Sequence, residues 1–459
     1  MADIPVVRNE QYILDIASLG HSGEGVGKYQ GFTVFVPGAL PGEQVKVKID
    51  IVKKNYAVGR LVSVITSSLE RIEPKCAIFA ECGGCQLQHL SYQGQLAVKR
   101  QTVIDAVERI GKLTGVMVHP TLGADTPWFY RNKMQFPIGI TGGKVVVGCY
   151  AQGTHKIIDT AECLIQHAAN NSIADEVRHI AAELGISAYD ETTGRGVLRH
   201  VLGRVGSATG EIMVMLVTAT DQLPHREAIV ERLRKRIQGL VSIVHNINPL
   251  KTNIILGKKT RTIWGKDTIS DSLDGFKFDI SAQSFFQVNS EQTEKLYAKA
   301  VEYAGLDGRQ TVIDAYCGTG TIALFLARKA AKVYGIEIVA PAIENAKNNA
   351  KRNGITNAEF ITGDAVEIMP KLYKQGIRPE VIVVDPPRAG CERLVLETFS
   401  HMQPNRIVYV SCNPASLARD LCVLNELGYQ CKEIQPVDMF PQTYHVETVT
   451  LLQRKETTM

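Results

Sequence analysis

The spacing of apolar residues near the N-terminus predicts a small barrel. Short apolar runs are separated there by glycine-containing turns, at 12–16, 23–27, 32–36, 44–49 and 57–62. Strands of this length and spacing are typical of a closed, OB-like β-barrel, a fold that binds oligonucleotides. We therefore predict a barrel over residues 5–63. The second half of this segment is rich in lysine, which favours an anionic partner, whereas a barrel that only packs on its neighbour is the alternative.

The apolar pattern changes at about residue 276. From there, strand-like runs alternate with helical ones, and the strand-like runs lie at 311–314, 332–337, 359–362, 380–385 and 406–410. Nearly continuous apolar strands separated by helices indicate a parallel sheet that is covered on both faces. Ligands of such sheets bind at the carboxyl ends of the strands. We predict an α/β domain over 276–459 and, from a helix near 91–112 and further β-rich runs, an α+β domain over 64–275.

Composition excludes several classes of protein. With 459 residues, of which 45% are hydrophobic and 21% charged, the chain has enough apolar residues for several globular domains and is not a disordered tail. No apolar run approaches the roughly 18 residues that a membrane helix needs. The polar N-terminus lacks the layout of a secretory signal. These features predict a cytoplasmic protein that has no membrane partner.

A basic block interrupts an otherwise balanced distribution of charge. Residues 195–262 contain 12 Lys and Arg against 4 Asp and Glu, a surplus of +8 in a chain whose net charge is +4. Such a block is expected to attract a polyanion such as RNA. The alternative is the solvated face of a helix, since Arg232, Arg234, Lys235 and Arg236 lie close together in the sequence.

Three closely spaced cysteines predict a metal site. Cys76, Cys82 and Cys85 have C-x5-C-x2-C spacing, and two glycines between the last two let the backbone wrap closely around a small group. Either Cys149 or Cys163 can supply a fourth thiolate, and four thiolates suit a zinc ion or a [4Fe–4S] cluster. The spacing differs from the C-x3-C-x2-C of enzymes that form radicals from S-adenosylmethionine. Three unrelated buried thiols are the alternative.

A glycine loop in residues 312–321 predicts a nucleoside site. A strand runs into Gly318-Thr-Gly320 and then into a helix, without the third glycine of a dinucleotide fingerprint or the Lys-Ser/Thr of a P-loop. The next strand ends about 20 residues later in Glu337, whose carboxylate can accept hydrogen bonds from a ribose. This combination fits S-adenosylmethionine. Asp364, after the following strand, is a further candidate for the adenine side.

A rigid loop and a cysteine follow the next two strands. Prolines cannot continue a strand or a helix, so Asp385-Pro-Pro-Arg388 is expected to aim into the ligand crevice and hold an acceptor base. Amine-methylating enzymes usually end this motif with an aromatic residue, and Arg388 argues against that reaction. Cys412, directly after the next strand, points to methylation of a carbon instead.

A thiol is useful because C5 of uracil is a poor nucleophile. A thiolate that adds to C6 creates an enolate, and C5 can then attack the methyl group of S-adenosylmethionine. A base must afterwards remove the C5 proton, and Glu447 is the candidate because burial in its apolar strand raises the pKa of a carboxyl. Cys391 is a competing nucleophile, but enzymes that make 5-methylcytosine carry their second thiol at the place of Arg388. Structural roles for Cys412 and Glu447 are the alternative.

Four motifs resemble the RNA (uracil-5-)-methyltransferase family. They are DAYCGTG at 314–320, DPPR at 385–388, SCNP at 411–414 and HVETV at 445–449. The resemblance extends over essentially the whole chain and departs mildly at Tyr316, where relatives often have phenylalanine. The N-terminal segment resembles a TRAM domain, and the spaced cysteines resemble the [4Fe–4S] ligands of members that modify 23S ribosomal RNA.

The resemblance implies a role for each candidate residue. It makes Cys412 the nucleophile and Glu447 the base. It implies contacts to S-adenosylmethionine from Gln287, Tyr316, Glu337 and Asp385. It selects Cys163 over Cys149 and iron–sulfur over zinc, so that the cluster ligands are Cys76, Cys82, Cys85 and Cys163.

The expected protein is a cytoplasmic monomer that methylates C5 of uridine in 23S rRNA. It has three domains: a TRAM barrel (5–63), a central α+β domain with the [4Fe–4S] cluster (64–275) and a class I, Rossmann-like S-adenosylmethionine-dependent methyltransferase domain (276–459). The cluster is expected to be structural, because methyl transfer by this route needs no redox step. One alternative is an enzyme for the T-loop uridine of tRNA, a type that generally lacks the barrel and the cluster. The other is a non-catalytic RNA-binding assembly factor.

Overall fold

The N-terminal apolar runs form the predicted barrel in the computed structural model, which describes residues 4–456. The strands are β1 (Gln11–Leu19), β2 (Gly25–Tyr29), β3 (Phe32–Val36), β4 (Gln44–Val52) and β5 (Tyr56–Thr66). They close in the order β1-β2-β3-β5-β4. Alternate side chains point inward, so Val45, Val47 and Ile49 of β4 are fully buried. Lys53 and Lys54 are exposed between β4 and β5.

After the barrel the chain crosses to the C-terminal domain before it returns to the centre. Residues 67–91 form turns, α1 (Tyr92–Arg109) follows, and β6 (Met117–Val118) becomes an edge strand of the C-terminal sheet. Ser91 caps α1, because its hydroxyl accepts the Gly94 N–H at 3.0 Å. The segment predicted as a central domain, 64–275, therefore contributes to the C-terminal sheet as well as to a sheet of its own.

The central sheet has seven strands and two helices on one face. Its elements are β7 (Lys133–Thr141), β8 (Lys144–Tyr150), β9 (Ile157–Asp159), α2 (Ala168–Glu183), β10 (Leu198–Val205), β11 (Ile212–Thr218), α3 (Arg226–Arg236), β12 (Leu240–Ile247) and β13 (Lys259–Gly265). The strand order is β13-β12-β11-β10-β7-β8-β9. The other face packs against the hairpin β14 (Thr268–Leu273) and β15 (Phe276–Ser281) and against the C-terminal domain. Burial on both faces explains why every residue of β10 and β11 is buried.

The C-terminal domain contains the predicted parallel sheet. Its remaining strands are β16 (Thr311–Asp314), β17 (Lys332–Glu337), β18 (Ala358–Thr362), β19 (Val381–Val384), β20 (Arg406–Ser411), β21 (Tyr429–Val437) and β22 (Glu447–Arg454). Its helices are α4 (Ser290–Ala304), α5 (Thr321–Ala327), α6 (Ala340–Arg352), α7 (Ala365–Lys374), α8 (Arg393–Met402) and α9 (Pro414–Glu426). The order is β18-β17-β16-β19-β20-β22-β21-β6, and the first five strands are parallel. The predicted alternation of strands and helices is confirmed. Within residues 4–456, no helix combines the length and the apolar character needed to cross a bilayer.

Part of the basic block is neutralised within the central domain. Arg232 lies 3.4 Å from Glu176 and 3.3 Å from Glu183, two acids outside the block. Arg199 is buried and donates to backbone carbonyl oxygens. The sequence alone suggested that the whole surplus of charge is available to an RNA ligand. The structure shows that only part of it is.

Candidate active site

Five parallel strands end at one edge of the C-terminal sheet, and the predicted catalytic residues lie at this edge. Cys412 follows directly after β20, and Glu447 is the first residue of β22. Because β22 runs antiparallel to β20 with Thr448 opposite Ser411, the start of one strand lies beside the end of the other. The Thr448 hydroxyl also donates to the Ser411 carbonyl oxygen at 3.2 Å. The sheet register therefore places Cys412 next to Glu447.

Burial and mutual repulsion favour the protonated forms of both groups. Burial raises the pKa of the Cys412 thiol to about 11, and the carboxylates of Glu447 and Asp385 add to this shift. Burial likewise raises the pKa of Glu447 to about 8, again with a contribution from Asp385. The Arg388 guanidinium opposes both shifts, because a nearby cation stabilises a thiolate or a carboxylate. Arg388 is thus part of the site's electrostatics, a role that its place in the sequence did not suggest.

The loops after β19 and β20 are tied to each other. The Arg388 carbonyl oxygen accepts hydrogen bonds from Asn413 Nδ2 and from Ser416 Oγ, both at 3.1 Å. Asn413 is in addition the N-cap of α9. These bonds fix the loop 385–388 beside Cys412, which confirms that the two motifs meet at one edge of the sheet.

A cavity of about 140 Å³ lies at the same edge. Three of the four predicted S-adenosylmethionine contacts line it, namely Gln287, Tyr316 and Asp385. Phe286 and Tyr297 add aromatic walls. Burial raises the pKa of Asp385 to about 7. A largely apolar cavity with one acidic group suits a nucleoside that carries a cationic sulfonium centre.

Glu337, the fourth predicted contact, supports the glycine loop from β17. Its carboxylate accepts the Gly318 N–H at 3.3 Å and the Val339 N–H at 2.9 Å. It does not line the cavity itself. Gly320, at the start of α5, has φ +81°, and a Cβ there would lie 2.9 Å from Ala346, so the tight turn of this loop requires glycine.

Three further residues of this domain differ in their surroundings, and these surroundings bear on whether each has a role in the site. Asp314, which the sequence did not single out, is fully buried, and burial together with the nearby Asp385 raises its pKa to about 8. Its place at the end of β16, directly before the glycine loop, was the available signal. Asp364, the further candidate for the adenine side, is the N-cap of α7 and accepts the Val366 N–H at 2.9 Å. Cys391 is buried in the core, where burial raises its pKa to about 12, so it is poorly suited to act as the nucleophile.

The predicted cluster ligands line a second cavity, of about 220 Å³. Cys76, Cys82 and Cys85 come from the turns between the barrel and α1, and Cys163 comes from the loop after β9. Cys149, on β8, lines the same cavity. The fold therefore brings together the four cysteines that the resemblance selected, and also the one that it did not select.

Cys149 contacts two of the other thiols. Donation from its S–H group lowers the pKa of Cys82 and of Cys163. Burial raises the pKa of Cys85 to about 12. Across the described residues, no three His, Cys, Asp or Glu side chains form a group that could hold a metal ion. The [4Fe–4S] cluster therefore stays a prediction.

A parallel sheet with a cavity and a thiol at its strand ends, joined to a small barrel, is the architecture expected of a nucleic-acid methyltransferase. The sequence agrees with this class. Residues 209–455 match the family tRNA (uracil-5-)-methyltransferase, and residues 6–62 match the TRAM domain. The chain belongs to the tRNA (uracil-5-)-methyltransferase family and has an N-terminal TRAM domain.

Relatives that match almost the whole chain bear the description uncharacterized RNA methyltransferase. One from Halalkalibacterium halodurans is 52% identical over 451 residues, and one from Clostridium acetobutylicum is 51% identical over 453 residues, with 98% of each chain covered in both cases. A crystal structure of Pyrococcus abyssi tRNA (uracil-54, C5)-methyltransferase with S-adenosyl-L-homocysteine has a TM-score of 0.75 and 29% identity, and the match covers 95% of this chain and 99% of that one. The chain is an RNA uracil-5-methyltransferase that uses S-adenosylmethionine.

Proposed function

We propose that Cys412 is the nucleophile and Glu447 the base in methylation of uridine C5. The observation that carries the proposal is the antiparallel register of β20 and β22, which places the two residues side by side. Asp385, which shifts the pKa of both groups, also lines the nucleoside cavity. A nucleophile, a base and a methyl donor therefore have adjacent places at one edge of the sheet.

In the proposed reaction the Cys412 thiolate forms a bond to C6 of the uracil, and the electron pair of the C5–C6 double bond moves into an enolate. C5 then attacks the methyl group of S-adenosylmethionine, and S-adenosylhomocysteine leaves. The Glu447 carboxylate removes the C5 proton, the S–C6 bond breaks, and the double bond re-forms as the thiolate departs. The Arg388 guanidinium favours the ionised forms that both residues need.

The methyl donor is assigned to the cavity at the ends of β16 and β19. Gln287, Tyr316 and Asp385 line it and are proposed to contact S-adenosylmethionine directly. Glu337 is proposed to accept hydrogen bonds from the ribose. Its carboxylate already accepts the Gly318 N–H, so it holds the glycine loop in place as well.

Uridine in 23S rRNA is the proposed target, supported by the resemblance of the four cavity cysteines to the ligands of enzymes with that substrate. The T-loop uridine of tRNA is a second candidate, because the Pyrococcus abyssi tRNA enzyme aligns with 95% of this chain. The part of this chain that lies outside this structural match is too short to contain the five strands of the barrel. The barrel alone therefore does not exclude a tRNA substrate.

We also propose that Cys76, Cys82, Cys85 and Cys163 hold a [4Fe–4S] cluster. Thiolates are the ligands of such clusters, and the four sulfurs border a cavity of about 220 Å³. The resemblance favours this cluster over a single zinc ion, which four thiolates can also hold. When bound, the cluster would cross-link the turns of residues 76–85 to the loop of Cys163.

Mapping of 5-methyluridine tests the proposal. Purified protein, S-adenosylmethionine and unmodified 23S rRNA or tRNA are incubated separately, and the products are digested and sequenced by mass spectrometry. We expect methyl groups at specific uridines of 23S rRNA and none with Cys412→Ala. Methylation of tRNA alone would make the second candidate correct, and 5-methyluridine formed by Cys412→Ala would exclude Cys412 as the nucleophile.

A further inference from the structure

The connection between β21 and β22 is unusual because it is largely buried. It consists of residues 438–446 and leads directly into Glu447. Met439 is fully buried and Gln442 is only 2% exposed. Connections normally run over the surface, because a buried backbone leaves polar groups that need partners. The partners of this connection therefore show what fixes the position of Glu447.

Helix α1 holds the first half of the connection. The Lys99 ammonium donates to the Asp438 carboxylate and, at 3.1 Å, to the Phe440 carbonyl oxygen. The Tyr92 hydroxyl donates to the other Asp438 oxygen at 2.9 Å. Lys99 and Asp438 are both fully buried, so removal of either one alone would leave an unpaired buried charge.

A pair of glutamines forms the centre of these contacts. Gln95 Nε2 donates to Gln442 Oε1 at 3.0 Å, and the Gln442 backbone N–H donates to Gln95 Oε1 at 3.0 Å. The carbonyl oxygens of Leu87 and Leu90 lie 3.1 and 2.9 Å from the same Gln95 Nε2, so its two N–H groups are shared among three acceptors. One neutral side chain of α1, 1% exposed, thus joins the connection to the turns that precede the helix.

The backbone of Gln442 links the same point to the cysteine cavity. Its carbonyl oxygen accepts the N–H groups of Gln86 and Leu87, at 3.1 and 3.0 Å, and these residues directly follow Cys85. Gln442 has φ +71°, a left-handed conformation that costs free energy in a residue other than glycine or asparagine. The surrounding hydrogen bonds hold it in this conformation.

We propose that Gln95 is a positioning residue for the base, and that its reciprocal hydrogen bonds with Gln442 hold Glu447 in reach of the C5 proton. This inference rests on the proposed role of Glu447. Gln95 does not touch the reacting atoms and acts through the connection 438–446. Loss of its amide slows removal of the C5 proton, whereas addition of Cys412 to C6 and methyl transfer continue.

The proposal predicts that a specific intermediate accumulates, because only the removal of the C5 proton becomes slower. If only the last step slows, the enzyme remains attached to methylated RNA through the Cys412 Sγ–C6 bond. This adduct survives denaturation and carries the labelled methyl group. A variant that is merely misfolded forms no adduct, so the adduct separates positioning of the base from general structural damage.

The test uses the full-length protein, tritium-labelled S-adenosylmethionine and the RNA that the wild type methylates. Gln95→Met removes the amide but keeps the length of the side chain. Gln101→Met is the matched control, because Gln101 is exposed on the same helix and, among the described residues, its side chain bonds to Asp105 and not to the connection. Gln442→Gly keeps the left-handed backbone and its bonds while it removes the amide that Gln95 contacts, which gives a second variant should Gln95→Met fold poorly. Glu447→Gln provides the reference adduct.

We expect Gln95→Met to lower kcat by about 10- to 100-fold, the effect of a small displacement of a catalytic group, with a much smaller change in kcat/KM for S-adenosylmethionine, because the steps through methyl transfer continue. We expect denaturation-resistant, labelled adduct with Gln95→Met, with Gln442→Gly and with Glu447→Gln, but not with Gln101→Met. The inference is overturned if Gln95→Met and Gln442→Gly bind S-adenosylmethionine normally yet form no adduct, whether or not they turn over. Absence of adduct with Glu447→Gln while the wild type is active would instead refute the role of Glu447 as the base.

Discussion

The active site and the cysteine cavity are built in opposite ways. At the active site, Cys412 and Glu447 are neighbours because two paired strands of one sheet begin and end there. At the cavity, three cysteines come from turns without regular structure, and Cys149 and Cys163 come from β8 and from the loop after β9. In the first case backbone hydrogen bonds determine which groups meet. In the second, a few backbone hydrogen bonds from residues 81–83 to the end of β8 act together with packing between distant segments, so a bound group has more to contribute to the structure.

The two regions also use burial differently. Burial raises the pKa of Cys412 and Glu447, and the Arg388 cation counteracts it. In the cavity, the thiols act on one another, since the S–H group of Cys149 lowers the pKa of Cys82 and of Cys163. At the active site, a cation close to Cys412 and Glu447 suits groups that gain and lose a proton in each turnover. In the cavity, several neighbouring thiols suit a metal cluster that stays bound.

Removal of the nucleophile has the largest expected effect. Cys412→Ala eliminates covalent addition to C6, and we expect turnover to fall by about 10⁴-fold or more, as in other enzymes that lose a nucleophile. Transfer of tritium from S-adenosylmethionine to RNA measures this. Cys391→Ala is the matched control and should keep its activity within a few-fold, because Cys391 lies in the core. A large loss with Cys391→Ala and a small one with Cys412→Ala would reverse the assignment.

Substitution of one of the four proposed cluster ligands should remove the bound iron and should affect methyl transfer less. We expect Cys85→Ala, purified without oxygen, to lack iron and the visible absorption of the wild type. Its melting temperature should fall by roughly 5 °C, because the turns of residues 76–85 contain no helix or named strand of their own. Cys422→Ala, outside the cavity, should behave as the wild type in iron analysis and thermal unfolding. Equal iron in both variants, or none in the wild type, would refute the cluster.

The pH dependence of turnover probes the cation at the active site. Glu447 must be ionised to accept the proton, and its pKa of about 8 means that turnover should increase as the pH rises through 8. Arg388→Leu removes the cation that lowers the pKa of Glu447 and Cys412, so both pKa values rise and the profile moves to higher pH. We expect a roughly tenfold lower kcat at pH 7 that recovers in part at pH 9. A uniform loss at all pH values would mean that Arg388 acts by binding RNA instead.

The sequence predicted the active site better than the cavity for a physical reason. Each catalytic motif directly follows a strand, and parallel strands end at a common edge, so local patterns were enough to place Asp385 and Cys412 together. Nothing local showed that α1 and β6 join the C-terminal sheet, or that Gln95 bonds to Gln442, since these contacts link residues more than 300 positions apart. The pairing of Arg232 with Glu176 was hidden in the same way, which is why the basic block suggested more free charge than the structure presents.

Cys149→Ala should have the smallest effect and decides which thiol completes the cavity. Spacing alone allowed Cys149 or Cys163, and the structure brings both to the same cavity. If Cys163 is the ligand, Cys149→Ala keeps its iron, because it loses only S–H donation to Cys82 and Cys163. Cys163→Ala should then lose the iron. Iron analysis and visible absorption of the two variants measure this difference, and the opposite pattern would make Cys149 the fourth ligand. Retention of iron by both single variants with loss in the double variant would show that either thiol can serve, because Cys149 is close enough to Cys163 to replace it.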